Sequence, residues 1–214
     1  MSDKYIVRSN RLPLDVLNIS MSEFVWNNLQ NLNPDNICII DSTTDTKLTV
    51  KELITKSNAL AMALVAKGVQ KSDTIMTFAA NSIEHMITLF AGAFLGTTLY
   101  PISPNANLYE MESLLETLGS MAIFTSAAKA DIIDQVLAKN KKIKTKTVVV
   151  FDGVYNEFTT FADMLSKGNN QMLPKIPYFD VDPNKDIFIM LLSSGTTGAP
   201  KSLMTSHVAF NILG

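Results

Sequence analysis

The spacing of apolar residues changes repeatedly along this chain, and each change marks an element. After an irregular start, residues 22–32 carry a helical pattern, weakened by Asn27, Asn28 and Asn33. Two short β-rich runs, 37–40 and 47–50, flank the turn-rich segment 41–46 and predict a β-hairpin. Residues 51–67 give the strongest helix, with Leu53, Leu60 and Leu64 on one face and Gly68 where a C-terminal cap belongs. Strand and helix then alternate. Residues 74–79 read as a strand. Asn81 and Glu84 have the spacing of a capping box, opening a helix with Ile83, Met86, Ile87, Phe90 and Phe94 on its apolar face. That stripe leaves His85 off the apolar side and exposed. A strand over 98–102 follows, then a second cap pattern at Asn107 and Glu110 with the stripe Leu108, Met111, Leu115 and Leu118, ended by Gly119.

The remaining pattern continues in kind. Residues 121–125 predict a strand, 129–139 a helix, and 145–151 a strand whose unbroken apolar run implies cover on both faces. A short helix near 161–166 leads into residues 168–186, which hold three prolines and little periodicity and read as a surface connection. Residues 187–192 form an apolar run short enough for a buried strand. After a polar loop, 202–206 read as another strand, with a helix starting at Ser206 or His207. Strands alternating with helices of this length predict an α/β fold: a mostly parallel, doubly wound sheet with flanking helices and right-handed crossovers. The expected organisation is a lead-in and hairpin over 1–50, an alternating region over 51–168, a linker over 169–186, and a strand–loop–strand unit over 187–214.

Composition narrows the class. With 214 residues, 47% hydrophobic and 18% charged, the chain suits a soluble globular domain with a sizeable core. A net charge of −2 supplies no basic field for nucleic acid or an anionic membrane. The five lysines between Lys139 and Lys146 read as a solvated turn before a strand. Cys38 is the single cysteine, so no internal disulfide forms; inside an apolar run it reads as a small buried hydrophobe. The first fifteen residues lack the apolar core of a signal peptide, which points to the cytoplasm. The most apolar window, 86–102, is interrupted by Gly92, Gly96, Thr97, Thr98 and Pro101, so a buried helix and strand explain it better than a membrane span.

The candidate chemistry lies in the loop after residues 187–192. Ser193, Ser194, Gly195, Thr196, Thr197, Gly198, Ala199, Pro200 and Lys201 combine two glycines, four hydroxyls and a lysine. Glycine lets the backbone approach a ligand closely. Successive N–H groups facing one point bind an anion. Lys201 adds a mobile positive charge, and a nucleoside triphosphate is the anion that matches. Residues 195–202 come within one position of the P-loop pattern G-x-x-x-x-G-K-[ST], but Pro200 occupies the second glycine. Proline offers no N–H and fixes φ, so that amide cradle cannot close. A strand rather than a helix is also expected next. A divergent P-loop NTPase is therefore the weakest reading. In open α/β sheets, ligands gather beyond the C-terminal ends of the strands, where this loop falls.

The run Ser193 to Lys201, continued by Leu203, Met204, Thr205, Ser206 and His207, resembles the AMP-binding signature of the adenylate-forming superfamily. Its paired serines and threonines are most similar to the acyl-CoA synthetase, 4-coumarate–CoA ligase and firefly luciferase branch. The resemblance extends from about Leu12 to Gly214 and implies an incomplete N-terminal domain of that fold. It also implies a reaction. ATP with Mg²⁺ meets a carboxylic acid, an acyl-adenylate and pyrophosphate form, and a thiol, usually that of CoA, displaces AMP. By matching positions, Ser193, Ser194, Gly195, Thr196, Thr197 and Gly198 contact the phosphates, with Lys201 as their cationic, catalytic partner. The Mg²⁺ ligands fall mostly outside this chain, as do the family's adenine, ribose and acid-binding segments and its adenylation lysine. One position departs from the signature: Ser202 follows Lys201 where the family usually has glycine.

Each feature has a plainer reading. Glycine- and threonine-rich turns are often only turns, a lone lysine is usually a solvated cation, and His207 reads as structural, at a helix start beside Ser206. The methionines sit at core spacing. With the family's later motifs absent, the chain is expected not to complete adenylation alone. It is a portion of a ligase or, alternatively, a shortened nucleotide- or partner-binding pseudoenzyme. A full-length form could carry the peroxisomal tripeptide that some relatives have.

Overall fold

A computed structural model describes residues 17–119, 121–168, 172–193 and 201–213. The N-terminal part begins with α1 (Met21–Gln30), opened by a capping box in which Ser20 Oγ accepts from Glu23 N and Glu23 reaches back to Ser20 N. The expected hairpin is present as β1 (Ile37–Ile40) and β2 (Lys47–Thr49), an antiparallel pair separate from the main sheet. Helix α2 (Val50–Ala66) follows directly. Thr49 and Glu52 form a second capping box, and Leu53, Leu60 and Leu64 are all buried, as their spacing requires. Gly68 takes φ +81° just past the helix.

The main sheet has seven strands in the order β7 (Thr159–Thr160), β6 (Thr145–Val150), β5 (Met121–Thr125), β3 (Thr74–Phe78), β4 (Thr98–Ile102), β8 (Ile187–Ser193) and β9 (Lys201–Ser206). All neighbours run parallel except β8 and β9. The crossovers are α3 (Ile83–Leu95), α4 (Leu108–Thr117), α5 (Ala127–Lys139) and α6 (Phe161–Gly168); α7 (His207–Leu213) follows β9. The mostly parallel, helix-flanked α/β sheet expected from the alternating pattern is therefore present.

Period-two alternation divides the sheet's side chains between two cores. Ile75, Ala122, Phe124 and Val149 face a cluster with α1, α2, α3 and α6, whereas Met76, Phe78, Ile123 and Val148 face α4 and α5. Strands β3 and β5 are buried at every position, as expected for central strands covered on both sides.

Four expectations change. The cap of α3 is Ser82 rather than Asn81: its Oγ accepts from His85 N at 3.1 Å. From Ser82, Glu84 stands one position too early to close a capping box. His85 is not exposed. Helix α3 packs under α1 and α2 as well as over the sheet, so its buried surface is wider than one stripe. His85 keeps 5% of its surface, stacks on Phe151 and places Nε2 3.0 Å from Thr77 Oγ1. Cys38 is exposed rather than buried, because β1 lies in the outer two-stranded sheet; its thiol donates to the Leu48 carbonyl at 3.4 Å. The described part of the 168–186 connection is stitched to the core. Tyr178 and Phe179 donate their N–H groups to the Phe94 and Leu95 carbonyls, both at 2.9 Å, and Leu173 is buried with its N–H on Asn58.

Candidate functional site: the β8–β9 mouth

The parallel register places Phe78, Ile102 and Thr125 level with one another at the C-terminal edge of the sheet. Thr125 Oγ1 donates to the Phe78 carbonyl at 3.1 Å, tying two strand ends together there. Strand β8 joins this edge through Leu99 opposite Ile189, so its last residue, Ser193, emerges on the same side. The chain re-enters at Lys201, directly opposite Ser193 in an antiparallel ladder. Ser193 Oγ donates to the Lys201 carbonyl at 3.1 Å, pinning the two sides of the mouth.

Two of the expected site residues, Ser193 and Lys201, are thus brought face to face at the sheet edge where α/β ligands collect. Ser194, Gly195, Thr196, Thr197 and Gly198 lie outside the described residues. The Lys201 side chain is exposed, and among the described residues no carboxylate pairs with it. After the loop the chain continues as a strand. The strand–loop–helix order of a P-loop is therefore not the arrangement here.

Ser202 makes an interaction that sequence alone did not signal. Its hydroxyl lies 2.6 Å from the hydroxyl of Tyr100, a β4 residue with no exposed surface. Burial raises the Tyr100 phenol above its ordinary pKa, and the Ser202 hydrogen bond partly offsets that rise. Ser202 stands opposite Leu192, so strand alternation turns it to the face away from Lys201.

His207 is structural, as its place at a helix start suggested. It has no exposed surface, and Nδ1 accepts from the Met21 N–H at 3.0 Å. Asn211 on the same helix donates to the Ile19 carbonyl at 2.9 Å. The two bonds clamp α7 to the entrance of α1 across more than 180 residues of sequence. Burial lowers the His207 pKa to about 4; Asp186 and Glu23 oppose that shift, and Lys71 adds to it.

At the opposite, N-terminal end of the strands lies a cavity of about 460 Å³ lined by Gln70, Lys71, Ser72, Gly96, Thr98, Lys185, Asp186 and Ile187. Its lysines are engaged: Lys71 with Asp186 at 2.6 Å and Lys185 with Asp182 at 3.1 Å. Among the described residues no group of three or more His, Cys, Asp or Glu could hold a metal ion. Among the described residues, no helix is long and apolar enough to cross a membrane.

The sequence profile of the family described as "AMP-binding enzyme" matches residues 27–213. The chain belongs to this family. Its relatives include a 4-chlorobenzoate–CoA ligase of Arthrobacter sp, 28% identical over 176 residues, covering 82% of this chain and 31% of the relative. They also include 4-coumarate–CoA ligase 5 of Oryza sativa subsp. japonica, 26% identical over 209 residues, covering 97% of this chain and 36% of the relative. Among solved structures, the luciferase-like enzyme of the nonluminescent Zophobas morio mealworm superposes with a TM-score of 0.78 at 27% identity. That superposition covers 95% of this chain and 46% of the other. The chain thus spans about a third of the length of the curated relatives it matches. Both of these relatives are CoA ligases, one of 4-chlorobenzoate and the other of 4-coumarate.

Proposed function

We propose that this chain forms the polyphosphate-gripping part of an acid–thiol ligase. In that reaction a carboxylate attacks the α-phosphorus of ATP, pyrophosphate leaves, and the acyl group passes from AMP to the thiol of CoA. One observation carries the reading: the register that sets Ser193 opposite Lys201 at the C-terminal edge of the sheet. Attack by one anion on another requires the leaving pyrophosphate to be held and its charge offset. A hydroxyl, a lysine and the amides of residues 194–198 would do this by position and electrostatics. Lys201, on a flexible stem at the exposed rim, would follow the β- and γ-phosphates as they depart. Mg²⁺ bound with the ATP would share that charge; the protein's part is to orient the phosphates against Ser193 and Lys201.

The short span relative to its relatives supports a narrower role for the 214 residues by themselves. They grip the triphosphate but do not complete adenylation, whether as a portion of a ligase or as a nucleotide-binding module. The acid belongs to the carboxylates that such ligases activate.

Competition binding tests this reading. A fluorescent ATP analogue bound to the chain should be displaced by ATP and by tripolyphosphate, and hardly at all by adenosine. Lys201→Ala should weaken ATP roughly tenfold, as expected when one charge-assisted hydrogen bond is removed. Adenosine competing as well as ATP, or an unchanged affinity in Lys201→Ala, would remove the role assigned to the mouth.

A further inference from the structure

Strand β9 carries Lys201, yet it is weakly held. It pairs with β8 alone among the described residues, and its first four side chains, Lys201 to Met204, are all exposed. An edge strand with one neighbour frays most easily at its end, and here that end is Lys201. Among the described residues, two side-chain bonds hold the start of β9: Ser193 reaches the Lys201 carbonyl from β8, and Ser202 reaches past β8 to Tyr100 on β4. Tyr100 is a rigid post: it has no exposed surface and stands among Met76, Phe78, Met111 and Met190 in the second core. A buried tyrosine ordinarily finds a partner for its hydroxyl, and this one finds it on the residue next to the lysine.

We propose that Tyr100 and Ser202 form a positioning pair that fixes the backbone at Lys201, so that its ammonium is held over the mouth closed by Ser193. This rests on the polyphosphate reading above and adds the residues that set the lysine in place. Ser202 occupies the position where the signature usually carries glycine. It faces the opposite side of the sheet from Lys201 and anchors it from behind. The pair touches no phosphate and acts only through its neighbour.

Calorimetric titration of the 214-residue chain with MgATP and with tripolyphosphate tests the pair. Tyr100→Phe and Ser202→Ala should each weaken both ligands about fivefold, matching the removal of one hydrogen bond. The double variant should be no weaker than either single one, because both remove the same bond. Ser202→Thr, which keeps the hydroxyl, should bind like the original chain. In a Lys201→Ala background, Tyr100→Phe should have no further effect, whereas general loosening of the fold would still add. Unchanged affinity in both single variants, or fully additive losses, would overturn the positioning role and leave the polyphosphate reading standing. Failure of the unaltered chain to bind either ligand would instead strike at the polyphosphate reading and take the pair's role with it.

Discussion

At the scale of single residues, the two histidines make the most direct energetic statement. Both are buried and both are held neutral: His207 by desolvation against the mild opposition of Asp186 and Glu23, His85 chiefly by desolvation beside Phe151. An imidazole whose folded pKa is depressed binds fewer protons folded than unfolded. Its stabilising effect is complete above the ordinary value near 6.5 and is lost as pH falls toward the folded value, about 4 for His207. Urea unfolding followed between pH 7 and pH 4 should therefore show stability falling with acidity. His207→Asn keeps an acceptor for the Met21 N–H but cannot titrate, so it should flatten that slope. A slope unchanged by the substitution would place the titrating group elsewhere. Residues of this kind were the least legible in the sequence. His85 lies off the apolar stripe of α3, yet Thr77 of β3 and Phe151 just past β6 enclose it. The bonds from His207 to Met21 and from Ser202 to Tyr100 join positions far apart in the chain, and no local pattern announces them. The structural role of His207 was readable from its place at a helix start; its partner was not.

At the scale of elements, periodicity did most of the specifying. Strands β3, β4, β5 and β6 and helices α2 and α5 lie where their apolar spacing puts them, because a buried element must show its period in the sequence. Capping was half legible. Asn107 and Glu110 form the expected box, while the boxes at Ser20 and Thr49 went unread. In both of those the cap follows irregular or strand residues rather than an obvious loop. Close approach between elements was not legible at all. A methyl group on Gly168, at the end of α6, would overlap the Ala59 carbonyl of α2, and backbone cannot yield as a flexible side chain can. Gly168→Ala should therefore destabilise by about 3 kcal/mol, at the upper end of overpacking penalties. For a chain of this size that lowers the melting temperature by roughly 10 °C. Gly119→Ala, with nothing within 4 Å of the new carbon, is the control and should leave it nearly unchanged. Equal melting temperatures for the two would contradict the tight α2–α6 packing.

At the scale of the whole molecule, the alternation of strand and helix announced a parallel sheet but not the order of its strands. That order comes from which helix packs on which face. Helices α2, α3 and α6 cover one side and α4 and α5 the other, and the chain switches faces between α3 and α4. A strand after the loop was legible in residues 202–206, with Pro200 excluding the P-loop cradle, but its antiparallel pairing with β8 was not. The outcome of that topology is a mouth whose two described sides, Ser193 and Lys201, meet at the edge where parallel strands end. The opposite edge offers a second, competing polar cavity beside Lys71 and Lys185. A crystal structure of the chain with MgATP distinguishes them most directly. Phosphate oxygens within about 3 Å of Lys201 Nζ, with the nucleotide seated across the β8–β9 mouth, are the expected result. Nucleotide bound instead in the Lys71–Lys185 cavity, with Lys201 directed into solvent, would contradict the polyphosphate grip.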